Sequence, residues 1–249
     1  MNSRKSLLGT LVMCAVLAGC SSDNDNDPAP VVPDTTPEPD PEPVTQTFEV
    51  NVVNLTAAQP FSPIALVAHE SGYTSFVIGE PATAGLELLA EGGDNSEFLT
   101  EAEAQDVVLA TDSAGGVLPP GATETMMLSL EEEQTEMAYV SAFTMLVNTN
   151  DAITAARGIA LSGMEVGDSI SVTTIGYDAG TEANSESAGT IPGPADGGEG
   201  LNEARDDLAD EVRGHPGVLT ADDGLATSVL SEVHRWDNPI ARVTVSRIE

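Results

Sequence analysis

Apolar and polar residues alternate with a period of two at three places along the chain. Phe48, Val50 and Val52 interleave with Glu49 and Asn51, and Met126, Leu128 and Leu130 alternate after the turn Pro119-Pro120-Gly121. Near the end, Ala241, Val243 and Val245 point one way and Arg242, Thr244 and Ser246 the other. This period belongs to a half-buried strand. Pro63 to His69 is a further apolar run, and Ile170 to Ile175 is rich in β-branched residues. Met137 to Val147 is apolar on both faces, as a central strand covered on two sides would be. Helical signals are fewer. Thr100 with Glu103 reads as a capping box, and Pro81 to Glu91 reads as a short helix. Asn202 to Arg213 carries Ala204, Leu208 and Val212 at a spacing of four, with Gly214 as the stop signal. Six legible strands separated by long excursions predict an all-β fold, an antiparallel β-sandwich with a few short helical insertions.

The first 46 residues do not fit that pattern. Arg4 and Lys5 precede an apolar run from Leu7 to Leu17, which ends in Leu17-Ala18-Gly19-Cys20. Charge, apolar core and small residues before a cysteine make residues 1–19 a lipoprotein signal peptide, with Cys20 the expected site of lipidation. The run is too short for a membrane-spanning helix. Residues 20–46 follow as a spacer, with seven prolines and seven acids in positions 21–46. Such a segment cannot bury enough apolar surface to offset its ordering entropy. Domain boundaries are therefore expected at 1–19, 20–46 and 47–249.

Charge narrows the function. The chain holds 8 Lys+Arg against 41 Asp+Glu, a net charge of −33. Without the signal peptide six arginines, no lysine and all 41 acids remain, a net of −35. No basic patch is left to displace phosphate counterions, which excludes nucleic acid as the expected ligand. Carboxylates in excess suit divalent cations and saline surroundings, and most of them serve as solvated surface. Cys14 lies in the signal peptide and Cys20 is the acyl acceptor, so no thiol is left for a disulfide, a zinc site or a nucleophile.

No G-x-S-x-G, H-E-x-x-H or phosphate-binding glycine loop is present. The three histidines, His69, His215 and His234, are far apart in sequence; a zinc site built from them with a carboxylate is the alternative, and local hydrogen bonds are the expected role of each. The strongest chemical candidate is Tyr177-Asp178-Ala179-Gly180-Thr181-Glu182, directly after a predicted strand. Gly180 permits a tight turn that lets Asp178 and Glu182 converge. Asp151, in Asn148-Thr149-Asn150-Asp151, also follows a strand and could add a third carboxylate. Oxygen ligands on strand-end loops suit calcium, which takes six to eight oxygens in flexible geometry.

Several segments, taken in order, resemble the spondin-domain family, the N-terminal module of F-spondin and mindin, which also occurs in bacterial lipoproteins. Phe61-Ser62-Pro63-Ile64 with Ala68-His69 looks like its FSP…H segment. Gly79, Ala82, Gly85 and Leu89-Ala90-Glu91-Gly92-Gly93 look like its glycine and AE-G stretch. Phe143-Thr144-Met145-Leu146 with Asp151, the Tyr177–Glu182 segment, and Ala241-Arg242-Val243 resemble its TML…SPDW, WDAGTD and ARV segments. The resemblance spans 48–249. It implies a sandwich of about eight antiparallel strands with a calcium ion at one end, its ligands falling on Asp151, Asp178 and Glu182. Three departures stand out: Glu182 replaces an aspartate, Ala152 and Tyr177 replace tryptophans, and the cysteines of the animal domains are absent.

The expected function is a calcium-stabilised binding or adhesion module on a lipoprotein anchored through Cys20 at the outer membrane or cell surface. It would act as a monomer and not as an enzyme, with an extracellular protein or glycan as partner. The sulfated glycans bound by animal spondins are not carried over, because this chain lacks a basic surface. Two alternatives are a structural envelope or matrix protein and a hydrolase of extracellular polymers. The hydrolase would need a further set of groups, such as His69-Glu70 near Asp112.

Overall fold

The computed structural model describes residues 43–205 and 210–249. The expected signal peptide, Cys20 and the expected spacer up to residue 42 lie outside the described residues, as do residues 206–209 of the helix expected over Asn202 to Arg213.

Two antiparallel sheets form a sandwich. The first contains β1 (Thr45–Asn54), β4 (Thr123–Glu131), β7 (Ser169–Thr173) and β10 (Ala241–Arg247) in the order β4-β1-β10-β7. The second contains β2 (Ala65–His69), β3 (Val108–Ser113), β5 (Tyr139–Met145), β6 (Ala152–Ala160), β8 (Gly176–Asp178) and β9 (Arg213–Gly214) in the order β3-β2-β5-β6-β8-β9. The alternating strands behave as their period requires. Phe48, Val50 and Val52 of β1 register with Leu128, Met126 and Glu124 of β4, and with Arg247, Val245 and Val243 of β10. Their buried members meet Leu66, Ala68, Val140, Ala142, Ala152, Ala156 and Ile159 of the second sheet in one core. No disulfide supports this core. Each fully buried Phe, Leu or Ile contributes about 1.5–3 kcal/mol relative to an exposed one.

The second sheet is covered on both faces. Helices α1 (Ala84–Gly92) and α2 (Ser96–Glu103) place Leu86, Leu89, Ala90, Phe98 and Ala102 against Ala65, Val67, Phe143 and Ile153. Leu66 and Ala68 therefore face the sandwich while Ala65 and Val67 face the helices. That is why β2 and β5 read as continuous apolar runs. Among the described residues no helix is long and apolar enough to cross a membrane.

The helices differ in detail from the expectation. α1 starts at Ala84, because the Thr83 hydroxyl caps it by accepting from the Leu86 N–H at 3.2 Å. Thr100 does not start a helix. It lies inside α2, and its hydroxyl donates to the Ser96 carbonyl at 2.9 Å. Burial of both Phe98 and Ala102 draws the N-cap to Asn95, five residues earlier. The stretch from Asn202 holds only a 3-10 turn (Glu203–Arg205), and Arg213–Gly214 at its far end is strand β9, not helix. One further helical turn, α3 (Glu132–Thr135), follows β4. Ten strands stand where about eight were expected. The six legible ones are present, and β3, β6, β8 and β9 are additional. The domain begins slightly before Thr47, since Thr45 and Gln46 already pair with Glu131 and Leu130.

Candidate metal site

Strand pairing at one end of the second sheet assembles the site. Ala152 at the start of β6 registers with Asp178 at the end of β8, so Asp151 lies beside Asp178. The Ala179 N–H donates to the Asp151 carbonyl at 3.2 Å. β9 adds the next layer: Asp178 registers with Arg213 and Tyr177 with Gly214. His215 follows at once, its N–H donating to the Gly176 carbonyl at 3.1 Å. Asp151, Asp178 and His215 each bring one potential ligand atom to within 4.8 Å of the others. Two oxygens that far apart can share a cation with ligand distances of 2.3–2.6 Å.

The loops that carry the acids are tightly held. In the turn after β5, Asn148 donates from Nδ2 to the Ala58 carbonyl at 2.8 Å and accepts at Oδ1 from the Ala195 N–H at 2.9 Å. Fully buried Gln59 accepts from the Asn148 N–H at 3.1 Å. Gly180 has φ +72, and a Cβ there would sit 2.2 Å from the Glu211 carbonyl oxygen. Only glycine combines that backbone conformation with that close approach.

The two aspartates are satisfied unequally. Asp178 accepts at Oδ1 from the Gly180 N–H (2.9 Å) and at Oδ2 from Asn184 Nδ2 (2.6 Å), with Arg213 Nε 3.3 Å away. Asp151 accepts at Oδ2 from the N–H groups of Thr181 (3.0 Å) and Glu182 (3.3 Å). Its other oxygen, Oδ1, is buried with no hydrogen-bond partner, as are Thr181 Oγ1 and His215 Nε2. Asp151 is 0% exposed. Burial first, and then the charge of Asp178, push its carboxyl up to about 8. A buried charge of this kind is costly unless a cation or a proton meets it.

Glu182 is placed differently from the other two predicted ligands. Its backbone reaches Asp151, but its buried carboxylate is taken by the Arg205 guanidinium through Nε and Nη2. Arg205 also bonds the carbonyls of Glu199 and Gly200. Burial raises the Glu182 carboxyl, and Arg205 opposes the shift. The structure thus joins Asp151 to Asp178 directly and leaves Glu182 paired with an arginine at their margin.

The sequence weighs His215 only as part of a zinc site with the other two histidines and gives Arg205, Arg213 and Thr181 no role at this site. The run Arg213-Gly214-His215-Pro216-Gly217 has no metal-binding spacing, and its place depends on pairing with β8. The donor chemistry decides its part. The Gly217 N–H donates to His215 Nδ1 at 2.9 Å. Nδ1 is then the acceptor, so in the neutral ring Nε2 carries the hydrogen and has no lone pair for a metal. Burial lowers the His215 pKa to about 4, which keeps the ring neutral. The groups left to hold an ion are oxygens: Asp151 Oδ1, the Asp178 carboxylate and Thr181 Oγ1. An all-oxygen set fits a hard cation such as calcium better than zinc.

The other histidines lie elsewhere. His69 bonds Ser141 Oγ through Nε2 at 2.8 Å and the Glu70 carbonyl through Nδ1 at 2.7 Å, and His234 Nδ1 accepts from the Ser231 N–H at 3.0 Å. Asp112 registers with Leu66, while His69 registers with Val108, so the His69–Asp112 pairing considered for a hydrolase is not assembled. Scanned against known protein families and curated proteins, the chain matches none.

Proposed function

We propose that this chain is an exported lipoprotein, anchored through Cys20, whose folded domain is a calcium-stabilised module of spondin type that binds an extracellular protein or glycan. The observation that carries the reading is the fully buried Asp151–Asp178 pair, with Asp151 Oδ1 unpartnered at the end of the sandwich. A cation there neutralises the pair and joins two separate pieces of chain: the β5–β6 turn, and the end of β8 with the loop at Thr181 that follows it. It thereby stiffens the loops at that end, where a ligand would dock. Asp151 and Asp178 would hold the ion with Thr181 Oγ1. Arg213 and Arg205 screen the remaining charge from the side. Lipidation and the spacer rest on the sequence pattern of residues 1–46.

Thermal melting of the chelator-treated domain against calcium tests the metal. A ligand at 100 times its dissociation constant stabilises by about 2.7 kcal/mol. Millimolar calcium should therefore raise Tm by several degrees, and Asp178→Ala should abolish the rise. A wild-type Tm unmoved by calcium would refute the reading.

A further inference from the structure

A cavity of about 490 Å³ adjoins His215, lined by residues 216–219 and by Glu232, Arg235, Trp236 and Asp237. That volume is in the range of small-molecule sites. Both stretches of lining are fixed to the body of the domain. In the first, the Gly217 N–H donates to His215 Nδ1 at 2.9 Å and the Leu219 N–H to Glu186 Oε1 at 2.8 Å. Val218 is buried in a small cluster with Ile191 and Leu230. In the second, the His234 carbonyl accepts from Gln59 Nε2 at 2.9 Å, and Gln59 also accepts from the Asn148 N–H at 3.1 Å. The Trp236 ring is partly buried, with its centroid 5.1 Å from that of His215. The cavity is therefore pre-formed, which spares a ligand part of the ordering cost.

Three kinds of contact are on offer inside it. Trp236, the single tryptophan of the chain, supplies a flat apolar surface. Asp237 is exposed, and no hydrogen bond or ion pair among the described residues engages its carboxylate, which is left to accept. Arg235 supplies donors. Its Nη1 is held by Asp223 at 3.1 Å and by Glu232 Oε1 at 3.0 Å, while no hydrogen bond among the described residues uses Nε or Nη2. Glu232 and Asp237 outnumber the one arginine, so an anion is disfavoured, and Arg235 in turn disfavours a cation. An uncharged ligand with one apolar face and hydroxyl groups that both donate and accept satisfies all three kinds of contact. A sugar ring has this character: its C–H face can lie on an indole while its hydroxyls bond a carboxylate and a guanidinium.

We propose that this cavity binds a neutral sugar residue of an extracellular glycan, with Trp236 stacking on the C–H face and Asp237 and Arg235 bonding the hydroxyls. The inference rests on the reading of the domain as an extracellular binding module, and it names the class of ligand and the place where that ligand sits.

Because Trp236 is the only tryptophan, its fluorescence reports on this cavity alone. The test titrates glucose, galactose, mannose and N-acetylglucosamine separately into the calcium-treated protein up to millimolar concentrations, with choline as a cationic comparison. At least one sugar should change the emission saturably. Asp237→Asn should weaken the Kd for that sugar at least about tenfold, through loss of a hydrogen bond to a charged group. It should keep the wild-type Tm, because Asp237 bonds nothing in the fold. Glu97→Gln, which alters an exposed acid on α2, should bind as wild type does. Emission unmoved by all four sugars overturns the inference. So does a response to choline alone, which makes the cavity a cation site, and so does an Asp237→Asn protein with the wild-type Kd. Melting of the same samples with and without calcium judges the metal separately. Emission unmoved by sugar, with Tm still raised by calcium, overturns the sugar site and leaves the calcium reading standing. Sugar binding with a Tm unmoved by calcium does the reverse.

Discussion

Gly180→Ala tests how the site is built, independently of any metal. Gly180 has φ +72, and an added Cβ would meet the Glu211 carbonyl oxygen at 2.2 Å, its nitrogen at 2.6 Å and its carbonyl carbon at 2.7 Å. All three are backbone atoms, so no side chain can swing aside. The left-handed conformation alone costs an L-residue roughly 1–2 kcal/mol. Forcing apart a packed contact adds typically 1–3 kcal/mol. The expected loss is about 2–5 kcal/mol. Gly163→Ala isolates the first contribution, since Gly163 has φ +73 and nothing within 4 Å of an added Cβ. Urea denaturation of the two variants in chelator, with a common m value, gives the comparison. Gly180→Ala should be less stable than Gly163→Ala by at least about 1 kcal/mol. It should also weaken calcium binding, because Asp178 Oδ1 is held by the Gly180 N–H. Equal losses in the two variants would mean that the Glu211 segment yields freely, and the argument that it presses on the Asp178 loop would fail.

Two further outcomes follow from burial and from the N-terminal pattern. Burial lowers the His69 pKa below its usual 6.5, so the unfolded chain binds a proton more readily and stability falls as pH drops below about 6.5. His69→Gln should flatten the stability profile between pH 7 and 5 relative to wild type, and an equal slope in both proteins would refute this. Cys20→Ser, expressed with its signal peptide in a bacterial host, should move the protein from the membrane to the soluble fraction. Full retention with the membranes would disprove the anchor.

The period-two segments of β1, β4 and β10 were legible because each has one face on the core and one toward water, which makes burial visible as alternation. β5 was legible as a buried run because helices cover its outer face. The missed strands lack both signals. β6 (Ala152–Ala160) is broken by Arg157 and by Gly158 at φ +72. β8 and β9 have three and two residues, too few for any period. The Thr100–Glu103 pattern misled because a capping box is a local preference. The buried contacts of Phe98 and Ala102 outweigh it.

Sequence alone determined the acid-rich character of a chain whose single lysine is Lys5, the sandwich class, and two residues at one end of the second sheet, Asp151 just before β6 and Asp178 at the end of β8. It did so because strand ends and turn glycines are local features. Tertiary structure alone decided the company those aspartates keep. The β6-β8-β9 pairing brings His215 and Arg213 to them from more than 30 positions away. Arg205, at the end of segment 199–205, takes the Glu182 carboxylate that the sequence reading assigns to the ion. These are long-range juxtapositions between segments with no shared period, so no spacing rule along the chain can encode them. They follow only from which strands pair and which faces close.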